Sequence, residues 1–353
     1  MRRAMALHLF MRLVVLVLAA VLASLALAGC GGGGGDAADG STDVDQLLQD
    51  TFSGTKEISS GRIDASVDVK ADGTVAMNLT GPFQSTGEGK LPKLALEASF
   101  EGEGESVSGG VTSTGDQGFV GFGGTQYEIA GPVYEQFKAG YEQSAEQGAQ
   151  KNQSLASLGM DPRRWLTNAR NAGEAKVGDT DTVKITGDVD VPKLLDDVNR
   201  ALERIRSLGV QGSDQLPDRL TDAERKQVTD AVDDLSVEIY TGADDRILRR
   251  MVVALRAQGE QASQAADVRL DLQLLDVNED QDIEAPGDAK PFNELVKKAQ
   301  SLGLGNLGSL GAGAGGGGGA TSQANVEKYS QCIQDAQGDN AKIRKCADLL
   351  TTP

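Results

Sequence analysis

Histidine is nearly absent from this 353-residue chain: there is one, His8. It falls in a segment expected to be removed, so the mature protein would carry no imidazole. That takes away Ser–His–Asp and Cys–His nucleophilic sites, His-ligated zinc and the commonest neutral-pH general base together. The expectation is a protein that is not an enzyme and holds neither metal nor cofactor. Aromatics are also few, with 8 Phe, 5 Tyr and 1 Trp, which leaves little surface for stacking sugars or bases. Positive charge is short: 34 Lys and Arg face 52 Asp and Glu, a net charge of −18. Such a chain repels phosphate backbones, so nucleic acid is excluded as a partner. Sequence signatures of phosphate and acyl chemistry are missing as well. Gly121-Phe122-Gly123-Gly124 lacks a following Lys-Ser/Thr, and no G-x-S-x-G elbow occurs. Asp276-Val277-Asn278-Glu279-Asp280 has the acidic spacing of a calcium loop. Gln281 and Gly287, however, stand where such a loop needs Gly and Glu, so the segment reads as a solvated strand end.

What is present begins at the N-terminus. Arg2, Arg3 and Arg12 precede the apolar run Leu13 to Ala23, and Leu25-Ala26-Leu27-Ala28-Gly29 closes the segment with small residues. A basic start, an apolar middle and a small-residue end describe an export signal over residues 1–29. The tetrad Leu27-Ala28-Gly29-Cys30 resembles the bacterial lipobox. That resemblance implies a diacylglyceryl thioether on Cys30, acyl chains such as palmitate, and a place on the extracytoplasmic face of the cell membrane. Two or more acyl chains hold stably where one is marginal. Residues 30–41, with Gly31 to Gly35, read as a flexible tether of roughly 5–6 Å × √10, or about 17–19 Å.

Residues 42–300 read as one α+β domain. Val44, Leu47, Leu48 and Phe52 share a helical face. The period then becomes two: Ile63, Ala65, Val67, Val69, then Val75, Met77, Leu79, then Leu94, Leu96, Ala98, Phe100. Successive hairpins of this kind make an antiparallel sheet with one apolar face. Gly-rich strands follow over 105–130, and a helix through Val133, Phe137 and Tyr141. Asp161-Pro162 opens a short helix with Trp165, and a strand runs over Thr182–Asp188. A long helix carries Leu194 to Leu208, and Thr221 to Glu224 is a capping box. Three strands through Leu235, Leu248 and Val268 and a short helix from Phe292 complete the domain. Residues 301–322 are a Gly-rich linker, expected to be disordered. Residues 323–353 hold Cys332 and Cys346, symmetric about Gly338-Asp339-Asn340. If that is a helical-hairpin turn, a disulfide between them would add about 3 kcal/mol in the chain-entropy model; the alternative is two free thiols.

This order resembles the LolA-like / LppX-LprA-LprF-LprG family of bacterial lipoproteins. The stretches that carry the likeness are Ile63–Lys70, Leu158–Leu166 with Thr182–Gly187, Val237–Tyr240 with Arg246–Arg250, and Leu275–Pro286. Together they lie within residues 42–290. The resemblance implies a curved antiparallel half-barrel packed over helices, with acyl chains of a lipid or lipoglycan in an apolar cavity between sheet and helices. Chosen by hydrophobicity alone, Val67, Val69, Met77, Leu79, Leu96, Phe100 and Phe119 are the expected lining. A filled core is the alternative. The protein would then be a non-enzymatic surface interaction or sensor lipoprotein, with the Cys332–Cys346 unit presenting a face to a protein partner.

Overall fold

The computed structural model describes residues 43–52, 56–71, 73–102, 104–146, 161–207, 217, 219–258 and 265–301. Cys30 with its tether, the Gly-rich stretch from residue 302 onward, and Cys332 with Cys346 lie outside the described residues. Six helices are described: α1 (Val44–Phe52), α2 (Gly131–Glu146), α3 (Pro162–Trp165), α4 (Val191–Ser207), α5 (Asp222–Ala231) and α6 (Phe292–Ser301). The strands are β1 (Ser60–Lys70), β2 (Thr74–Gln84), β3 (Lys93–Gly102), β4 (Glu105–Ser113), β5 (Gly118–Phe122) and β6 (Thr125–Glu128). They continue as β7 (Leu166–Val177), β8 (Thr180–Val189), β9 (Val232–Gly242), β10 (Leu248–Ala257), β11 (Ala266–Leu275) and β12 (Lys290–Pro291). The strand order is β12-β6-β5-β4-β3-β2-β1-β11-β10-β9-β8-β7. The described pairs are antiparallel except β12 with β6. The expected α+β class with a large antiparallel sheet is therefore what forms, and the sheet is open at β7 and β12.

The described residues fall into two compact units, one within Met1–Gln84, Glu97–Val107 and Lys151–Gln281, the other within Ser85–Leu96, Ser108–Gln150 and Asp282–Pro353. In the first, register sorts the side chains. Val67 pairs with Met77 and Leu270, Val253 pairs with Leu270 and Val237, and Ile239 pairs with Met251 and Ile185. Because successive side chains alternate, these residues occupy a single face, called inner below. The outer face carries Asp68, Lys184, Glu238, Tyr240, Arg250, Arg269 and Asp271 by the same register.

Local rules hold at the helix ends. The Asp161 carboxylate accepts from the Arg163 N–H, with Pro162 at the first helical position of α3. Thr221 and Glu224 form a reciprocal capping box on α5. α4 packs Leu195, Val198 and Leu202 with Leu220. The acidic run after β11 is a clasp rather than a plain strand end. Asn278 and Asp276 have positive φ, and the Asn278 Oδ1 accepts from the N–H and hydroxyl of Ser59 at 2.8 and 3.1 Å. Ser60 in turn donates to the Glu279 carbonyl.

In the second unit β5 and β6 form a hairpin, and β12 lies parallel to β6. A Cβ on Gly118 would sit 2.4 Å from the Tyr134 ring of α2, so only glycine lets helix and strand approach this closely. The Tyr134 hydroxyl is anchored to Ser113 at 2.8 Å.

On the outer face Arg250 holds Asp271 in a fork of 2.8 and 2.5 Å, and Arg269 approaches the same carboxylate at 3.4 Å. Burial pushes the Asp271 carboxyl up, but the two guanidiniums more than offset it, and it lies below its ordinary 3.8. A depressed carboxyl contributes stability above its unfolded value, and the contribution disappears as pH falls through the native value. Asp271→Asn is therefore expected to flatten the loss of stability between about pH 5 and about pH 2 in urea unfolding. An acid limb as steep as that of the native chain refutes the assignment.

Candidate functional site

Among the described residues, the inner face of the first unit is covered by α1, by the single turn of α3 and by Leu194 of α4. Leu47, Leu48 and Trp165 join Val67, Val69, Ile185, Val237, Ile239, Met251, Val268 and Leu270 in one buried cluster. Cover is complete at Ile185 and Ile239, both 0% exposed, and is incomplete along the strands from there. Val253 and Leu255 on β10 and Val75 and Met77 on β2 are only partly buried, although they pack on this cluster. β10 lies between β9 and β11, so its edges are sealed by hydrogen bonds and water reaches Val253 and Leu255 only across the face. The described residues thus leave an apolar face in the middle of the sheet partly uncovered.

Phe100 extends this surface. The Asn78 amide donates to the Ser99 hydroxyl, which puts Ser99 on the outer side and Phe100 on the inner. A Cβ on Gly102 would meet both its ring, at 3.1 Å, and one Val75 methyl, at 3.3 Å, yet Phe100 is 42% exposed. Of the expected lining, Val67 and Val69 are buried in the cluster, and Met77 and Leu79 are half-buried on the same face. Leu96 and Phe119 are buried residues of the second unit, Phe119 on the side of β5 opposite Gly118 and Tyr134. Sequence reasoning passed over Val253, Leu255 and Val75 as lining residues. Alternation would have found them, but Met251-Val252-Val253 is apolar on both faces of β10.

Trp165 lies in this buried cluster but carries an orphan. Its indole nitrogen is buried and has no hydrogen-bond partner among the described residues. The α3 turn that presents it is held from several sides. The Asp161 N–H donates to the wholly buried Asp197 carboxylate at 2.6 Å, and the Asp190 N–H donates to the Trp165 carbonyl at 2.8 Å. Arg200 also bonds Asp197, and Arg164 lies 4.0 Å from it.

Among the described residues, no three of His, Cys, Asp and Glu come together as metal ligands. None of the described helices is long and apolar enough to cross a membrane. The site's polar groups are hydrogen-bond donors and acceptors of the framework, and its working surface is aliphatic and aromatic carbon. What such a surface does chemically is bury other apolar carbon.

No protein-family model matches the chain, and no curated protein matches it either. Its fold is similar to solved bacterial structures. LprF from Mycobacterium bovis is 16% identical, with a TM-score of 0.34 over 70% of this chain and 99% of that one. The lipoprotein LppX from Mycobacterium tuberculosis is 13% identical, with a TM-score of 0.32 over 69% of this chain and 100% of that one. A LolA superfamily protein from Nitrosomonas europaea is 6% identical, with a TM-score of 0.17 over 70% of this chain and 96% of that one. At these identities and scores, function must be argued from the residues themselves.

The two kinds of inner-face position should respond differently to truncation. Ile239→Ala is expected to destabilise by about 2–5 kcal/mol, because it opens a cavity in a closed part of the core. Phe100→Ser, on the uncovered part, should change stability by less than about 1 kcal/mol. Guanidinium unfolding with one m-value for both variants measures this, and equal losses would mean that Phe100 is as enclosed as Ile239.

Proposed function

We propose that the protein is a membrane-anchored lipoprotein that binds or carries acyl chains on the uncovered inner face of its sheet. The observation that carries this reading is the half-open state of Val253 and Leu255 on a central strand, next to Val75, Met77 and exposed Phe100. Apolar carbon left open to water in a sheet interior costs free energy unless an occupant covers it. A 16-carbon chain buried there would gain at most about 12 kcal/mol at about 0.8 kcal/mol per methylene, before ordering costs. No catalytic group is needed for such a role, and carriage or presentation of lipid fits a chain with a lipobox. Cys30 would hold the folded part near the outer surface of the cell membrane. The segment 30–41 would act as tether, and Cys332 and Cys346 would staple a small C-terminal unit beyond a 301–322 linker.

Native mass spectrometry of the full chain carrying Cys30→Ala tests the binding. Co-purified lipid that organic extraction removes, and uptake of a fluorescent fatty acid by the stripped protein, are expected. Phe100→Asp should abolish uptake while the circular dichroism spectrum is kept. A clean apo mass with no uptake by the unsubstituted surface overturns the reading in favour of a filled-core interaction protein. The anchor is checked separately. Cells expressing the native chain should hold it in the membrane pellet and incorporate labelled palmitate into it, and Cys30→Ala should remove the label. Undiminished label in Cys30→Ala excludes that cysteine as the attachment point.

A further inference from the structure

We propose that the basic side of α3 and α4, with Arg164 at its centre, docks on the phosphate headgroups of an anionic bilayer. This rests on the lipid-anchor reading above and adds to it which surface of the tethered domain meets the membrane.

Cations gather here against the trend of a chain whose net charge is −18. Arg163 and Arg164 lie on α3, and Lys193, Arg200 and Arg204 share one face of α4 with Asp197 by helical spacing. The charges are sorted by depth. The side chains of Arg163, Arg164, Lys193 and Arg200 are 41–54% exposed, whereas the carboxylates they pair with, Asp161, Asp190 and Asp197, are 17%, 28% and 0% exposed. Solvent therefore meets guanidinium and ammonium with carboxylate behind them. One step round α4 are Asp196, which Arg225 bonds, and exposed Glu203.

Arg164 has donors to give. Arg163 spends two N–H groups on the Asp161 fork, at 2.8 and 2.9 Å. Arg164 stands 3.6 Å from Asp161 and 4.0 Å from Asp197, attracted by both but outside hydrogen-bond range of either. A guanidinium in that state suits a phosphate, which accepts two parallel N–H bonds. The platform beneath it is tied together, since the Asp161 N–H donates to Asp197 and the Asp190 N–H to the Trp165 carbonyl.

Position favours a bilayer as the partner. α1 packs against α3, and the segment leading from Cys30 enters the fold at the start of α1. A flexible stretch of the dozen residues between Cys30 and Asp43 would span roughly 17–21 Å, which keeps α3 near the headgroups. Register also sets the end of α3 level with the half-open residues. Thr167 pairs with Asp188, Asp188 with Ser236, and Ser236 with Ala254, which lies between Val253 and Leu255. Docking on this side would bring the uncovered apolar face to the lipid. The acids at the same end of the sheet, Asp233, Asp234 and Asp267, gather about Arg256 rather than about α3. At 0.1 M salt charges act over about 10 Å, so the approaching side decides the contact and the acidic remainder is turned away.

The single Trp lies in the same turn as Arg163 and Arg164 and reports the approach. The native lipidated chain is held in vesicles of phosphatidylglycerol or of phosphatidylcholine, each with a trace of dansyl-headgroup lipid, and energy transfer from Trp165 is read. Transfer should be greater on phosphatidylglycerol in 0.1 M salt, and the excess should vanish in 1 M salt, where charges act over about 3 Å. Arg164→Gln with Lys193→Gln should lower the docked-to-undocked ratio on phosphatidylglycerol about fivefold per charge removed. The same loss at Arg62 and Lys176, at the other end of the sheet, should leave it unchanged. Equal transfer from the two lipids, or an excess that 1 M salt leaves intact, overturns the docking surface whether or not the variants fold. So does an excess that survives in the Arg164 and Lys193 variant, or that falls equally in the Arg62 and Lys176 variant. A native chain that washes off both kinds of vesicle overturns the anchor reading beneath and this inference with it.

Discussion

One constraint governs the first unit: paired strands of period two force every second side chain of β2, β1, β11, β10, β9 and β8 onto one face. Val67 opposite Met77 and Leu270, and Ile239 opposite Met251 and Ile185, are consequences of that register. A slip of one residue would put Asp68, Arg269 and Glu238 inside. The apolar face so made is wide, and among the described residues a nine-residue helix, a single turn and Leu194 at the start of α4 lie over it. Packing is therefore complete near Ile239 and incomplete at Val253, Leu255 and Phe100. The partly exposed surface is what the described helices leave of a broad sheet face, and lipid binding rests on it.

Polar groups stabilise this arrangement from the periphery. On the outer face Lys184 pairs with Glu238, and Arg250 and Arg269 share Asp271. These pairs are partly solvated, so their worth lies in opposing a register slip more than in bulk stability. Buried Asp197 has a different task, since it accepts from the Asp161 N–H and so fixes the turn that presents Trp165. The clasp made by Asn278, Ser59 and Ser60 ties the start of β1 to the end of β11. It gives the acidic run a structural role with no need of a cation.

Much of the fold was legible because local rules and tertiary context agree. The caps at Asp161 and Thr221, the alternating strands and the amphipathic α1 and α4 all formed where their patterns predict. β7 was not foreseen. Leu166–Val177 has little apolar alternation, two register shifts and a positive φ at Asn168, and it is mostly exposed at the sheet edge. An edge strand has one partner to satisfy and no need of a buried face, so charged and small residues suit it and erase the sequence signal. The extent of the candidate site was likewise only half legible. Val67, Val69, Met77 and Phe100 follow from alternation. Val253 and Leu255 do not, because the neighbouring Val252 packs against Val177 and Tyr240 on the outer side.

The sequence by itself determined the α+β class, the antiparallel hairpins, the helix caps and the lipobox resemblance, because each depends on spacing within a few residues. Tertiary structure alone decided which apolar side chains are sealed and which stay open, and that the Trp165 nitrogen has no partner. Exposure and pairing depend on what other segments bring to a residue. Val253 and its partner Leu270 are apolar alike and lie on the same face, yet Leu270 is buried and Val253 only partly so.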